Sequence, residues 1–180
     1  LVKWIAQMIQ YPATKTIFPT LISEEGAGKG TLLKLMRFML GKTKVVETTF
    51  PSRDVWGNFN AKMNSCFLVN LNELSQKETI EAEGRIKGLI TDDTLTINPK
   101  GSNQYDVESF HRFLATTNSE EPFKVTKGGR RNMLIRSSDE KINDKEYFIK
   151  LNEYLDKPEV VKACFEYFKN IEGMELFGSI

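Results

Sequence analysis

The residues with the most chemistry in their spacing are Ser23-Glu24-Glu25-Gly26-Ala27-Gly28-Lys29-Gly30-Thr31. They follow an apolar run, Thr16 to Ile22, and precede an amphipathic one, Leu32 to Leu40. That is the order strand, glycine loop, helix. A loop of this kind turns backbone N–H groups onto phosphate oxygens, and the helix behind it adds the positive end of its dipole. Glycines let the backbone come close without a Cβ in the way, and Lys29 is placed to reach the β- and γ-phosphates. The phosphate-loop pattern asks for Gly, four residues, Gly-Lys, then Ser or Thr. Gly28-Lys29 satisfies it, Ser23 stands at the first glycine, and Gly30 stands where a metal-binding hydroxyl belongs, with Thr31 one place late. A glycine-rich turn before an ordinary helix would share the composition. The flanking patterns favour phosphate, which leaves open what the phosphate energy drives.

Three further stretches carry reactive side chains. The apolar run Cys66-Phe67-Leu68-Val69-Asn70-Leu71 ends in Asn72-Glu73. An acid at the carboxyl end of a buried strand sits at the ligand edge of an open α/β sheet, where it can hold Mg²⁺ or orient an attacking water. Phe110 to Thr116 runs into Thr117-Asn118, an amide at a strand end that can hold a water or a phosphate. Lys124 to Arg136 carries Lys124, Lys127, Arg130, Arg131 and Arg136, with Gly128-Gly129 as a hinge before the paired arginines. A guanidinium there can stabilise charge in phosphoryl transfer. Thr94 to Ile97, the turn Asn98-Pro99-Lys100-Gly101 and Asn103 to Val107 read as a polar hairpin with Lys100 at its tip. A loop-starting acid, a solvated basic loop and a solvated lysine are the plain alternatives for these residues.

The elements that must hold them follow from periodicity. Residues 1–10 form an apolar-faced helix closed by Tyr11-Pro12. Leu32, Leu33, Leu35, Met36, Met39 and Leu40 share a helix face, and Gly41 takes a left-handed cap. Lys44 to Thr49 is a second strand, residues 52–63 carry no clear pattern, and residues 76–91 form a charged helix with Ile80, Ile86, Leu89 and Ile90 inward. Met133 to Ile135 is the last strand. From Asp144 to Ile180 two helices follow, one with Phe148, Leu151 and Leu155, the other with Val160, Val161, Cys164, Phe165 and Phe168 and with Pro158 near its start.

With 180 residues, 40% of them hydrophobic, 27% charged and a net charge of +1, the chain reads as about one globular domain. No membrane span or disordered tract is expected, and any nucleic-acid contact must be local. Cys66 and Cys164 lack the spacing of a disulfide framework or a metal site, which places the chain in a reducing, intracellular compartment rather than outside the cell. His111 is read as structural or as a surface residue. The chain starts within a helical pattern with no initiator Met or signal peptide, so it reads as a segment of a longer protein.

Taken in order, these pieces resemble a superfamily 3 helicase, the helicase domain of viral and phage primase-helicases. The likeness lies in Trp4-Ile5-Ala6 with Tyr11-Pro12, Gly26-Ala27-Gly28-Lys29-Gly30-Thr31, Phe59-Asn60, Leu68 to Glu73, Asn98-Pro99-Lys100-Gly101, Ala115-Thr116-Thr117-Asn118 and Gly129-Arg130-Arg131. The resemblance implies an α/β, AAA+-like P-loop NTPase: a central, mainly parallel sheet flanked by helices, with a β-hairpin insertion and a C-terminal helical tail. It divides into a core over residues 1–140 and a helical segment over 141–180. By resemblance Glu25, Gly26, Ala27, Gly28, Lys29, Gly30, Thr31 and Leu32 hold ATP. Thr31, Asn72 and Glu73 are the candidates for Mg²⁺, and Glu73 polarises the attacking water. Asn118 senses the γ-phosphate, and Arg130 or Arg131 acts on the ATP of a neighbouring subunit. Lys100, with Lys87 behind it, meets single-stranded DNA inside a hexameric ring, and a primase domain precedes this segment. Gly30 departs from the pattern and puts the metal position in question. The rival readings are an adenylate-kinase-like phosphotransferase, a ring ATPase that is no helicase, and a nucleotide-binding assembly module without turnover.

Overall fold

The strands are β1 (Phe18–Ile22), β2 (Val45–Thr48), β3 (Leu68–Asn72), β4 (Thr94–Ile97), β5 (Tyr105–Glu108), β6 (Arg112–Thr117) and β7 (Asn132–Arg136). The helices are α1 (Val2–Gln10), α2 (Lys29–Leu40), α3 (Pro51–Asp54), α4 (Gln76–Leu89), α5 (Lys145–Leu155) and α6 (Pro158–Lys169). They come from a computed structural model that describes residues 1–119 and 131–178. Five strands form one parallel sheet in the order β2-β3-β6-β1-β7, while β4 and β5 pair antiparallel in a separate two-stranded sheet. From β1 the chain crosses to the far edge at β2 and works back to β6. It then steps over β1 to the other edge, β7. The carboxyl ends of β1 and β6 therefore border the crevice where open α/β sheets take ligands.

The interior strands are apolar because both their faces are covered. Along β3 and β6 successive residues alternate between two cores. Val69, Leu71, Phe113 and Ala115 pack with Ala82 and Ile86 of α4, with Ile90 at its C-terminal cap and with Ile97 of the hairpin. Leu68 and Leu114 pack on the opposite face with Trp4 and Met8 of α1, Leu33 and Met36 of α2, and Phe168 of α6. The turn signal at Asn98–Gly101 closes the hairpin as its composition requires, and Gly101 takes a φ of +77°.

The structure corrects two expectations. Ile80 does not face inward; it is 65% exposed. The buried line on α4 is Ala82, Ile86 and Ile90, spaced by four, and Ile80 lies about 200° round the helix from Ala82 at 3.6 residues per turn. Gly41 does need a positive φ, +102°, but its ψ of 143° is extended rather than left-handed helical. The unassigned stretch 52–63 holds the short helix α3 and a 3-10 turn, Ala61–Asn64.

Buried polar groups tie the segment before β1 to the sheet. Arg112 is 2% exposed, and its guanidinium donates to the carbonyls of Tyr11 (3.0 Å), Pro12 (3.3 Å) and Thr14 while lying over the Phe67 ring. Burial pushes its pKa down to about 10. Lys15 donates to the carbonyls of Leu89 (3.0 Å) and Asp92 and to Ser109 Oγ (2.9 Å). The Met63 carbonyl can only accept, so His111 Nε2 carries a proton and donates to it (2.8 Å). His111 Nδ1 lies 3.1 Å from Ser109 Oγ, which donates to it in the neutral ring. His111 is thus a structural residue.

Burial holds the His111 pKa below its ordinary value, outweighing the Met63 bond that favours the charged form, with Lys15 lowering it further. A base with a depressed folded pKa binds a proton more readily in the unfolded chain. Stability is therefore full above about pH 6.5 and falls on acidification below it. Urea unfolding at pH 7.5 and 5.5 should show this loss in the wild type and a smaller one in His111→Gln; equal slopes would show that His111 does not carry it.

Candidate functional site

The loop after β1 is built for an anion. The Ser23 N–H donates to the Thr117 carbonyl (3.1 Å), which anchors the loop at the end of β6. Gly26 and Gly28 then take φ values of +80° and +93°. Left-handed residues in such a loop are the means by which successive N–H groups can share one anion-binding concavity. Helix α2 starts at once at Lys29, with no side-chain cap and no acid in its first turn. The first-turn N–H groups of such a helix have no intrahelical partner and suit a phosphate.

Three predicted side chains meet beside the loop. Lys29 Nζ donates to the Ser23 carbonyl (3.1 Å) and to Asn118 Oδ1, while Asn118 Nδ2 lies 3.5 Å from Glu73 Oε1. Asn118 and Glu73 follow the ends of the adjacent strands β6 and β3, and Lys29, the first residue of α2, reaches back to them across the loop after β1. Glu73 is exposed and holds a φ of +47°, a conformation rare for a residue with a Cβ. Its N–H bonds to the Thr116 carbonyl (2.9 Å), which carries the β3–β6 ladder one residue past the strand. Strain of this sort is stored where a side chain must be aimed. Thr116 Oγ1 accepts from Asn70 Nδ2 (2.9 Å) and donates to Asn72 Oδ1 (2.8 Å). One lone pair of that Asn72 oxygen is thereby held, and the other is available to a metal or water.

The pocket beside the loop measures about 550 Å³. Of the predicted residues, Glu25, Gly26, Gly28, Lys29, Gly30, Thr31 and Glu73 line it, whereas Ala27, Leu32, Asn72 and Asn118 do not. Leu32 packs instead toward the core under α1 and α6. Sequence reasoning missed three other lining residues, Lys34, Phe148 and Asn152. Phe148 is read in the sequence only as part of an apolar stripe. A Cβ on Gly28 would sit 2.9 Å from its ring, so α5 lies directly on the loop. Lys34 Nζ bonds to Asn152 Oδ1 (3.0 Å) and Asp156 Oδ1 (2.7 Å), and Asn152 Nδ2 bonds to the Phe148 carbonyl (2.8 Å). This clasp joins α2 to α5. Its only trace in the sequence is a polar residue, Asn152, one turn beyond Phe148.

The remaining candidates lie elsewhere. Lys100 is exposed in the hairpin turn, and Lys87 is exposed in the last turn of α4. Arg131 directly precedes β7, where its carbonyl accepts from the Phe18 N–H (2.7 Å). It is therefore at the amino ends of β1 and β7, across the sheet from the loop. Its Nε is buried without a hydrogen-bond partner among the described residues. Arg130, together with Lys124 and Lys127, lies outside the described residues. No group of three or more His, Cys, Asp or Glu placed to hold a metal occurs among the described residues.

Two glycines separate close approach from empty space. Gly28→Ala meets both a positive φ, which costs a residue with a Cβ about 1–2 kcal/mol, and the Phe148 ring. Nothing lies within 4 Å of a Cβ on Gly30. Thermal unfolding should show a lowered Tm for Gly28→Ala and almost none of that loss for Gly30→Ser; equal Tm values would contradict the packing of α5 on the loop.

Comparison with known proteins adds sequence and fold relatives. The model of a family of unknown function, DUF5906, matches residues 21–131, more than half of the chain. A DNA primase-polymerase of Nitratiruptor phage NrS-1 is 27% identical over 133 residues, covering 72% of this chain and 18% of that protein. The chain thus spans less than a fifth of that relative. Among solved structures, an apo form of the NrS-1 C-terminal region superposes with a TM-score of 0.78 at 21% identity, over 99% of this chain and 43% of that one. The JCV helicase superposes with a TM-score of 0.56 at 12% identity, over 92% of this chain and 48% of that one. At such identities the likeness is one of fold: an α/β domain of helicase-like architecture. No helix among the described residues is long and apolar enough to cross a membrane.

Proposed function

The chain belongs to the family of unknown function DUF5906, and we propose that it is an ATP-hydrolysing motor of a phage or viral replication protein, a DNA translocase of the superfamily 3 helicase type. The observation that carries this reading is the meeting of Lys29, at the start of α2, with Asn118 and Glu73, at the ends of the adjacent parallel strands β6 and β3, beside a glycine loop with two positive φ values. The sequence relation to a phage DNA primase-polymerase supports the replication setting.

In this reading the loop N–H groups and Lys29 hold the β- and γ-phosphates. Lys29 gives up the Ser23 carbonyl and Asn118 when they arrive. Glu73 accepts a proton from the attacking water, and Asn118, already between Lys29 and Glu73, orients that water against the γ-phosphate. Thr31, Asn72 and Glu73 are the residues that would hold Mg²⁺. Mg²⁺ commonly takes one or two carboxylates with phosphate oxygens and water, and it neutralises phosphate charge. The carboxylates of Glu73 and Glu25, both lining the pocket, fit that habit. Arg131 stands across the sheet from its own loop, so it, or Arg130, would act on the ATP of the next subunit in a ring. Lys100, with Lys87, would touch single-stranded DNA.

ATP hydrolysis measured with and without single-stranded DNA, alongside mass in solution with ATP, tests the proposal. Hydrolysis stimulated by DNA and a six-fold assembly are expected. Lys29→Ala and Glu73→Gln should each lower kcat by about 10²–10³-fold, with ATP still bound by Glu73→Gln. Arg131→Ala should be inactive alone and regain activity when mixed with Glu73→Gln if the guanidinium acts between subunits. A monomer that passes phosphate to a nucleoside monophosphate would overturn the motor reading.

A further inference from the structure

Among the described residues the hairpin bearing Lys100 has no ladder to the main sheet, and β4 and β5 pair with each other. Ile97 seats it in the core, and polar contacts fix the edge of β4 that faces away from β5. Asn60 is 2% exposed, and its carboxamide makes three hydrogen bonds. Nδ2 donates to the carbonyls of Val55 (3.0 Å) and Thr96 (2.9 Å), and Oδ1 accepts from the N–H of Asn98 (2.7 Å). Thr96 C=O and Asn98 N–H flank Ile97 on the edge of β4 turned away from β5. A parallel neighbouring strand would bind these same two groups. The Asn60 side chain thus closes the open edge of β4 as a single residue of a third strand. Asn58 Oδ1 accepts from Asn98 Nδ2 (3.3 Å), a second tie to the same residue. Behind them, Trp56 Nε1 bonds to Glu81 of α4 (2.7 Å), so the segment 55–60 is itself held. Lys100 follows Asn98 by two residues.

We infer that Asn60 is a positioning residue for nucleic-acid contact: it sets the direction of the hairpin turn, and so of Lys100, while taking no part in hydrolysis. This rests on the reading that Lys100 meets single-stranded DNA. The geometry separates the two activities, because the Asn60 bonds all run to the hairpin and its own segment, and none to the loop, Glu73 or Asn118.

The test compares the full chain with Asn60→Ala, Lys100→Ala and the double variant. Asn60→Ala should speed amide hydrogen exchange at Asn98 about tenfold or more, since its acceptor is gone, while Val69 and Leu114 in the sheet stay protected. Affinity for a single-stranded oligonucleotide should fall about tenfold, as expected for a loss near 1.4 kcal/mol. Basal ATP hydrolysis should stay within about twofold of wild type. The double variant should bind little worse than either single one, because both act through one contact. Additive losses, or unchanged exchange at Asn98, would overturn the inference. Where Asn60→Ala loses sheet protection, Asn60→Asp keeps the shape and the Asn98 acceptor but removes both donors, and the affinity and double-variant comparisons apply to it, with exchange at Asn98 read only in Asn60→Ala. A wild-type chain that binds no single-stranded DNA overturns the DNA reading together with this inference; a wild type that binds, with unaltered affinity in the Asn60 variants, overturns this inference alone.

Discussion

The Thr116 carbonyl accepts from the Glu73 N–H, and the Thr117 carbonyl accepts from the Ser23 N–H. Strand β6 thereby extends its ladder past the ends of both neighbours. The register pairs Ile22 with Thr117 and Asn72 with Thr116, so β1, β3 and β6 finish within a residue of one another. Ser23, Glu73 and Asn118 follow those ends directly, and Lys29 reaches back across the loop to Ser23 and Asn118. A slip of one residue in either pairing would turn the end of β6 over and break the Lys29–Asn118–Glu73 contact. The position of every candidate group at this edge depends on that register.

Around this edge the molecule places polar and strained features that a core alone would not select. Glu73 holds a positive φ, Thr116 links Asn70 to Asn72 between buried strands, and Gly28 keeps a left-handed turn under an aromatic ring. Each has a cost that nearby bonds offset. The helical tail is part of the same assembly, since Phe148 and Asn152 line the pocket and Lys34 clasps α5 to α2. Any ligand seated on the loop would have α5 as a wall.

At the other end of the sheet the solution is different. Arg112 is buried and Lys15 half-buried, and both donate to carbonyls and so hold the chain between α1 and β1. Leaving several carbonyls unmatched would be costly, which explains why charged side chains are tolerated there.

Local patterns in the chain were enough for the parallel α/β class, the glycine loop before α2, the hairpin with Lys100 in its turn, and the placing of Glu73 and Asn118 at strand ends. Those features are local: apolar runs, turn residues and the residue that follows a strand all lie within a few positions of one another. Ile80 was misread because a single apolar residue in a charged helix does not say which stripe is buried; the line Ala82, Ile86, Ile90 decides it by packing on the sheet. Asn60 could be quoted but not explained, since its partners Thr96 and Asn98 are far along the chain. Phe148 meets Gly28 only because α5 returns across the sheet, and Arg131 is set away from the loop only because β7 runs parallel to β1. The sequence by itself determined the kinds of element and the chemistry available at their ends. Tertiary structure alone decided which of those ends meet, because strand order and register bring together residues whose separation in the chain carries no periodic signal.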